Sequence, residues 1–272
     1  MTSRESPKRN DRRPLREVQA ITFDFGNTLV AATSEALDRV VRRTASAVDA
    51  RSGPFDRALL LTAWTEERTR QFAEEVPAGR EVDVEQRIGR VLARLRGMDP
   101  PVAGETWDDP AALELSDAAE RADAVEAYSA AFVAEVPVPP EIGPLLAVLS
   151  TDRTLAILSN WPLASTIDRF VAAAGWDRYL DAIVVSQRVG AIKPDPPIFR
   201  ATEAALGLDG DSILHVGDDW AADVVGALRA GWRAAYLRDR QAGSPLPSSD
   251  RDEAVTADLE LDSLAELPAA LA

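Results

Sequence analysis

The chain has 272 residues, 46% hydrophobic and 28% charged, a composition with enough apolar material for one large globular domain or two modest ones. It contains no cysteine, which excludes disulfides, thiolate nucleophiles and cysteine-ligated metals. Its formal net charge of −15 repels phosphate backbones and anionic lipid, so neither nucleic acid nor a membrane surface is expected among its partners.

Arg4, Lys8, Arg9, Arg12, Arg13 and Arg16 crowd an N-terminal segment with almost no apolar residues, too polar to offset its own ordering entropy. Residues 1–17 therefore read as a disordered basic tail. The apolar stretch that a signal peptide needs does not follow these charges, and no run of about 18 apolar residues occurs later, which points to a cytoplasmic protein. Val18 to Phe25 is rich in β-branched and aromatic residues and predicts the first strand. Roughly 130 residues without a strand signal follow, far more than an ordinary connection.

That stretch reads as four helices, Ser34 to Ala50, Pro54 to Glu75, Val84 to Arg96 and about Ser116 to Glu135, separated by Gly, Pro and Asp clusters. In the third, Val84, Ile88, Val91, Leu92 and Leu95 share one face, Asp83 is placed to cap the start and Gly97 to close the end. Such a stripe predicts core packing. Val136-Pro137-Val138-Pro139-Pro140 is a stiff extended linker. Beyond it the β-branched runs Thr154 to Ser159, Ala182 to Ser186, Ile213 to Gly217 and Ala234 to Leu237 recur about every 20 to 30 residues, with helical patterns between them. Asp195, Pro196 and Pro197 open one of these helices and Gly207 closes it; Gly231 follows another, Ala221 to Ala230. The alternation predicts an α/β fold: a Rossmann-like, doubly wound parallel sheet from residues 18–33 and 138–272, with residues 34–137 inserted as an α-helical bundle cap.

In an open parallel sheet, ligands bind beyond the carboxyl ends of the strands. There the chain carries Asp24-Phe-Gly26-Asn27-Thr28, Ser159-Asn160, Lys193-Pro194-Asp195 and His215-Val-Gly217-Asp218-Asp219. Each alone has a commoner explanation: Asp24 as the start of a turn, Ser159 as a strand-end residue, Lys193 as a surface lysine. Their order along one sheet sets them apart. Lys193 is also one of two lysines among 30 Lys and Arg residues, so a preference for arginine is overridden where a compact point charge suits a crowded site.

Taken in order, Asp24, Ser159, Lys193 and the Gly217-Asp218-x-x-x-x-Asp223 segment resemble the four motifs of the haloacid dehalogenase superfamily. The resemblance covers the sheet domain and a helical cap inserted after the first motif. It implies a hydrolase with Asp24 as nucleophile, Ser159 and Lys193 at the transferring group, and Asn160 and Thr28 contacting substrate. It further implies Mg²⁺ held by Asp24, Asp218, the Gly26 carbonyl and Asp223, the last directly or by orienting Lys193 or a metal-bound water. Elementary chemistry agrees, because phosphoryl transfer needs an in-line nucleophile and positive charge around the equatorial oxygens, and a carboxylate nucleophile splits one displacement into two through an aspartyl-phosphate.

Phosphatases of that family carry a second Asp two residues after the nucleophile as general acid and base, and here that position is Gly26. Proton transfer of this kind is worth about 10²- to 10⁴-fold in rate. The first reading is a phosphatase of a small phosphorylated metabolite, because Asp218 is an acidic residue suited to magnesium. The alternative is a 2-haloacid dehalogenase-like, carbon-attacking hydrolase, whose family members also lack that Asp; a third is a member kept for binding a ligand or partner without catalysis. His215, the only histidine, is expected to be buried and structural. Trp64 and Trp107 read as packing, Trp161 as a possible pocket wall, Arg80 as a solvated loop residue, and Asp219 as a ligand, loop carboxylate or helix cap.

Overall fold

The computed structural model describes residues 14–81, 83–238 and 243–272. Of the expected basic tail, residues 1–13 lie outside that set, while Leu15–Glu17 forms a short 3-10 turn where disorder was expected. Strand β1, Ala20–Phe23, ends before the predicted Phe25 because the chain turns out of the sheet at Asp24. Asn27 takes a left-handed φ of 61°, and its N–H donates to Val30 O at 2.7 Å, which closes the turn just beyond the strand tip.

The long strand-free stretch is helical. Helix α1, Ser34–Ser52, starts where Thr33 Oγ1 accepts from Ala36 N at 3.1 Å, and it buries Leu37, Val40, Val41, Ala45 and Val48 along one face. Helix α2, Arg57–Arg70, begins three residues later than predicted because Asp56 caps it, and it runs into a π turn at Gln71–Glu75. Helix α3, Val84–Leu95, is capped by Asp83 onto Gln86 N at 2.7 Å and is followed by Gly97 at φ 89°. Helix α4, Asp109–Glu114, has no counterpart in the sequence reading; six residues are too few to show a period. Helix α5, Ala118–Glu135, packs along α1 and also against a sheet-side helix, α7 below.

After the proline linker come α6, Ile142–Leu149; β2, Thr154–Ser159; α7, Ala164–Ala174; β3, Ala182–Val185; a four-residue α8, Ser186–Val189; and α9, Pro196–Leu206. Strand β4, Ile213–Gly217, leads through a π turn at Trp220–Val225 into α10, Gly226–Arg229, so the single helix predicted from Ala221 to Ala230 is irregular in its first half. Strand β5, Arg233–Leu237, pairs with an edge strand β6, Leu259–Leu261, and a short α11, Leu267–Ala270, follows. The sequence reading missed β6, whose three residues are tied to the sheet by backbone pairing and by Arg238 on Glu260 at 2.7 Å.

All six strands are parallel, in the order β3-β2-β1-β4-β5-β6. Strand order reverses between β1 and β4, and the crevice at their carboxyl ends is where such sheets bind ligands. Both faces are covered. Ile21, Phe23, Leu155, Ile157, Leu214 and Val216 pack on one side with the inserted helices, and Ala20, Leu158, Ile213, Phe199 and Trp232 pack on the other. An aromatic cluster joins insertion to sheet: Phe25 lies edge-on to Trp161 at 5.5 Å, and Trp161 edge-on to Phe132 of α5 at 5.4 Å. Among the described residues, no helix is long and apolar enough to cross a membrane.

Candidate active site

Strand register assembles the site. Phe23 pairs with both Ile157 and Val216, so Asp24 leaves the sheet level with Leu158 and Gly217, one residue before Ser159 and Asp218 on their strands, and its N–H donates to Val216 O at 2.9 Å. Between them stands Lys193, its side chain 1% exposed. Its ammonium donates to Asp24 Oδ1 at 2.8 Å, Asp223 Oδ1 at 2.6 Å and Leu158 O at 2.8 Å. Three protons thus meet three acceptors, which a planar guanidinium cannot do in the same volume. Carboxylate oxygens of Asp24, Asp218 and Asp223 lie within 4.8 Å of one another.

Burial disfavours the Lys193 charge, but the carboxylates of Asp223 and Asp24 outweigh it and hold the ammonium above its ordinary pKa. Burial also lifts Asp24, helped by the negative Asp223 and opposed by Lys193, so its carboxyl sits above the usual range. Asp223 goes the other way despite its burial, because Lys193 and His215 favour its charged form.

His215 is fully buried, as expected, but it also belongs to this network. β1–β4 register sets it opposite Thr22, with Nδ1 2.9 Å from Thr22 Oγ1, and its Nε2 lies 3.1 Å from Asp223 Oδ1. Asp223 can only accept, so Nε2 carries the proton and Nδ1 accepts from the threonine hydroxyl. Burial, with Lys193 nearby, keeps the imidazole pKa low and the ring neutral. Asp223 Oδ2 accepts from Asp219 N at 2.9 Å, so each of its oxygens is already engaged.

The remaining predicted residues take specific places. Asn160 lines the cavity, but its amide is spent on the lysine loop: Oδ1 accepts from Lys193 N at 2.7 Å and Nδ2 donates to Lys193 O at 3.0 Å. Thr28, expected at the substrate, instead donates to Asp218 Oδ1 at 3.2 Å and does not line the main cavity, because the turn at Asn27 carries the chain away from it. Ser159 is 1% exposed, is not among the residues lining the cavity, and its hydroxyl has no hydrogen-bond partner among the described residues. Asp219 is a cap, accepting from Ala222 N at 2.8 Å and from Ser249 N at 2.8 Å. Asp195 opens α9 without a side-chain cap bond, since Pro196 and Pro197 have removed the first N–H groups. Arg80 is an exposed loop residue.

Above the cluster lies a cavity of about 730 Å³. One wall holds Asp24, Gly26, Lys193, Asp218 and Trp161 at the sheet tips; the other holds Leu37, Val40, Trp64, Phe72 and Arg87 from the inserted helices. A Cβ added at Gly26 would lie 2.6 Å from Leu246 Cδ1 and 3.1 Å from Trp161 Cζ3, so apolar groups fill the space a side chain there would need. The sequence offered no signal for Leu246, which lies in an aperiodic Gly-Ser-Pro-Leu-Pro loop beyond β5. Trp107 is remote from the cavity and donates to Glu67 at 2.7 Å.

The switch point of the parallel α/β sheet thus gathers a carboxylate, an ammonium and two further carboxylates. The family model for haloacid dehalogenase-like hydrolases matches residues 18–231, and the chain belongs to that family. It is 30% identical over 131 residues to N-acylneuraminate-9-phosphatase of Rattus norvegicus, covering 48% of this chain and 50% of that protein. It is 34% identical over 117 residues to a plasmid phosphoglycolate phosphatase of Cupriavidus necator, covering 43% and 48%. The matches thus span about half the length of these relatives. Among solved structures, a 2-haloacid dehalogenase from Pseudomonas syringae pv. tomato DC3000 superposes with a TM-score of 0.63 at 23% identity, covering 93% of this chain and 98% of that one. This last likeness speaks for the fold.

Proposed function

We propose that this enzyme is a magnesium-dependent phosphatase of a small phosphorylated metabolite, with Asp24 as nucleophile and residues 34–137 as a cap over the site. The observation that carries the proposal is the Lys193 ammonium held at 2.8 Å from Asp24 beside Asp218 and Asp223. Similarity to two named phosphatases supports it. Three clustered carboxylates with one ammonium leave a net negative site of hard oxygen donors, the chemistry Mg²⁺ selects. Asp24 and Asp218 would hold the ion, with the Gly26 carbonyl completing the protein set; Asp223, with both oxygens engaged, would orient Lys193 and the ion's waters. When bound, the ion neutralises charge on the phosphate oxygens.

Asp24 then attacks phosphorus, the bond to the leaving oxygen breaks, and an acyl phosphate forms on Asp24. Water cleaves that intermediate, releasing phosphate and restoring the carboxylate. Lys193 would keep Asp24 aligned and offset its charge, and the Ser159 hydroxyl, without a partner among the described residues, would donate to the transferring group. Phosphate release from an aryl phosphate is expected to need Mg²⁺ and to vanish in Asp24→Asn; full activity in that variant refutes the nucleophile assignment.

One observation favours a second reading. Leu246 and Trp161 occupy the space beside Gly26, so no proton donor stands at that position, and attack on carbon with a halide leaving group needs none. Activity on a 2-haloacid that survives EDTA would select this carbon-attacking reaction over the phosphatase.

A further inference from the structure

Helix α3 carries three arginines on its inner side at positions 87, 90 and 94, and two of them have carboxylate partners. Arg90 pairs with Glu75 at 2.6 Å and Asp109 at 2.7 Å, and Arg94 pairs with Glu67 at 3.0 Å. Arg87 is 3% exposed and makes no ion pair among the described residues. Its Nη2 donates to Gln71 Oε1, its guanidinium carbon lies 5.8 Å from the centre of the Trp64 ring, and its Nε is buried without an acceptor among the described residues.

Glu81, on the same cavity, does not supply that partner. Glu81 attracts Arg87 at a distance but makes no ion pair with it among the described residues: Gln71 bridges the two, its Nε2 3.4 Å from Glu81 Oε1, while Glu81 Oε2 accepts from Ser186 Oγ. Burial pushes the Glu81 carboxyl above its ordinary range and the Arg87 guanidinium below its own. A cation buried without a counterion is costly, and here it lines the cavity that holds Asp24 and Lys193. The same cavity has apolar lining at Leu37, Val40, Val41, Trp64 and Phe72, with Arg68 and Tyr128 also on its surface.

We propose that Arg87 anchors a carboxylate on the substrate, so that the enzyme takes phosphate monoesters whose apolar body carries a second anionic group. The guanidinium fork has donors unused by the protein and matches a carboxylate in plane. This inference rests on the phosphatase reading for the reaction, though not for the subsite.

The test compares the phosphate ester of 4-hydroxyphenylacetate with that of its neutral methyl ester, both with Mg²⁺, in wild type, Arg87→Gln and Arg87→Lys, each checked for folding by thermal melting. Wild type should favour the acid about tenfold in kcat/KM, carried by KM; Arg87→Gln should lose the preference and Arg87→Lys recover part of it. Equal turnover of both esters by wild type, or a preference that survives Arg87→Gln, overturns the subsite and leaves the phosphatase standing. Calorimetric binding of 4-hydroxyphenylacetate itself needs no turnover. Binding to wild type, weaker binding to Arg87→Lys and none to Arg87→Gln, with no phosphate released from either ester, would support the subsite and refute the phosphatase; equal binding to wild type and Arg87→Gln overturns the subsite.

Discussion

Gly26→Asp probes the site most directly, because it places a carboxyl two residues after the nucleophile. The added Cβ would sit 2.6 Å from Leu246 Cδ1 and 3.1 Å from Trp161 Cζ3, where carbon contacts prefer about 3.5–4.0 Å. Trp161 is 4% exposed and wedged against Phe25 and Phe132, so Leu246, a flexible side chain on a loop, is the group that must yield. Overpacking of this kind costs about 1–3 kcal/mol, and the single variant is expected to lose that stability and gain little rate. Adding Leu246→Ala clears the space, and a general acid there is worth about 10²- to 10⁴-fold. The assay is kcat/KM with Mg²⁺ across aryl and alkyl phosphates of graded leaving-group acidity. Wild type should depend steeply on that acidity, and the double variant should flatten the dependence by speeding alkyl esters. Equal gain in the single variant, or a flat dependence in wild type, would refute the reasoning.

Lys193→Met leaves Asp24 and Asp223 buried without their cation, and breaking such a pair costs about 3–5 kcal/mol. Urea unfolding should show the loss, with partial recovery on adding Asp223→Asn; a change under about 1 kcal/mol contradicts the network. Ser159→Ala removes a buried hydroxyl that satisfies nothing among the described residues, so stability should hold within about 0.5 kcal/mol while kcat/KM falls; a destabilised variant with normal turnover would make Ser159 structural. His215 has a folded pKa below its ordinary 6.5, so both states are neutral there at higher pH. As pH falls through 6.5 the unfolded histidine takes up a proton that the folded one refuses, and stability drops by up to about 1.4 kcal/mol per unit until the folded pKa is reached. His215→Gln should flatten the stability curve just below pH 6.5, and an unchanged slope would show that another group sets it.

Much of this site was legible in the chain because local pattern carries it. β-branched runs separated by helical periods imply a parallel sheet in which the residues leaving each strand converge, and the resemblance to the haloacid dehalogenase motifs singles out Asp24, Ser159, Lys193 and Asp218 among them. Capping residues marked α3 to within one residue, since Asp83 and Gly97 act on their own backbone neighbours. Short elements such as α4 and β6 were not legible, being too brief to show a period. Nor were the contacts that assign roles. His215 meets Thr22 across 193 positions, Asn160 spends its amide on Lys193 across 33, and Leu246 fills the space beside Gly26 from a loop at the far end of the domain. Sequence determined which reactive groups stand at the strand tips, because backbone periodicity is local. Only tertiary packing decided which of them are satisfied by the protein and which, like Ser159, keep hydrogen-bonding capacity for something else, and the same holds for Arg87 on α3, because that depends on what distant segments bring into contact.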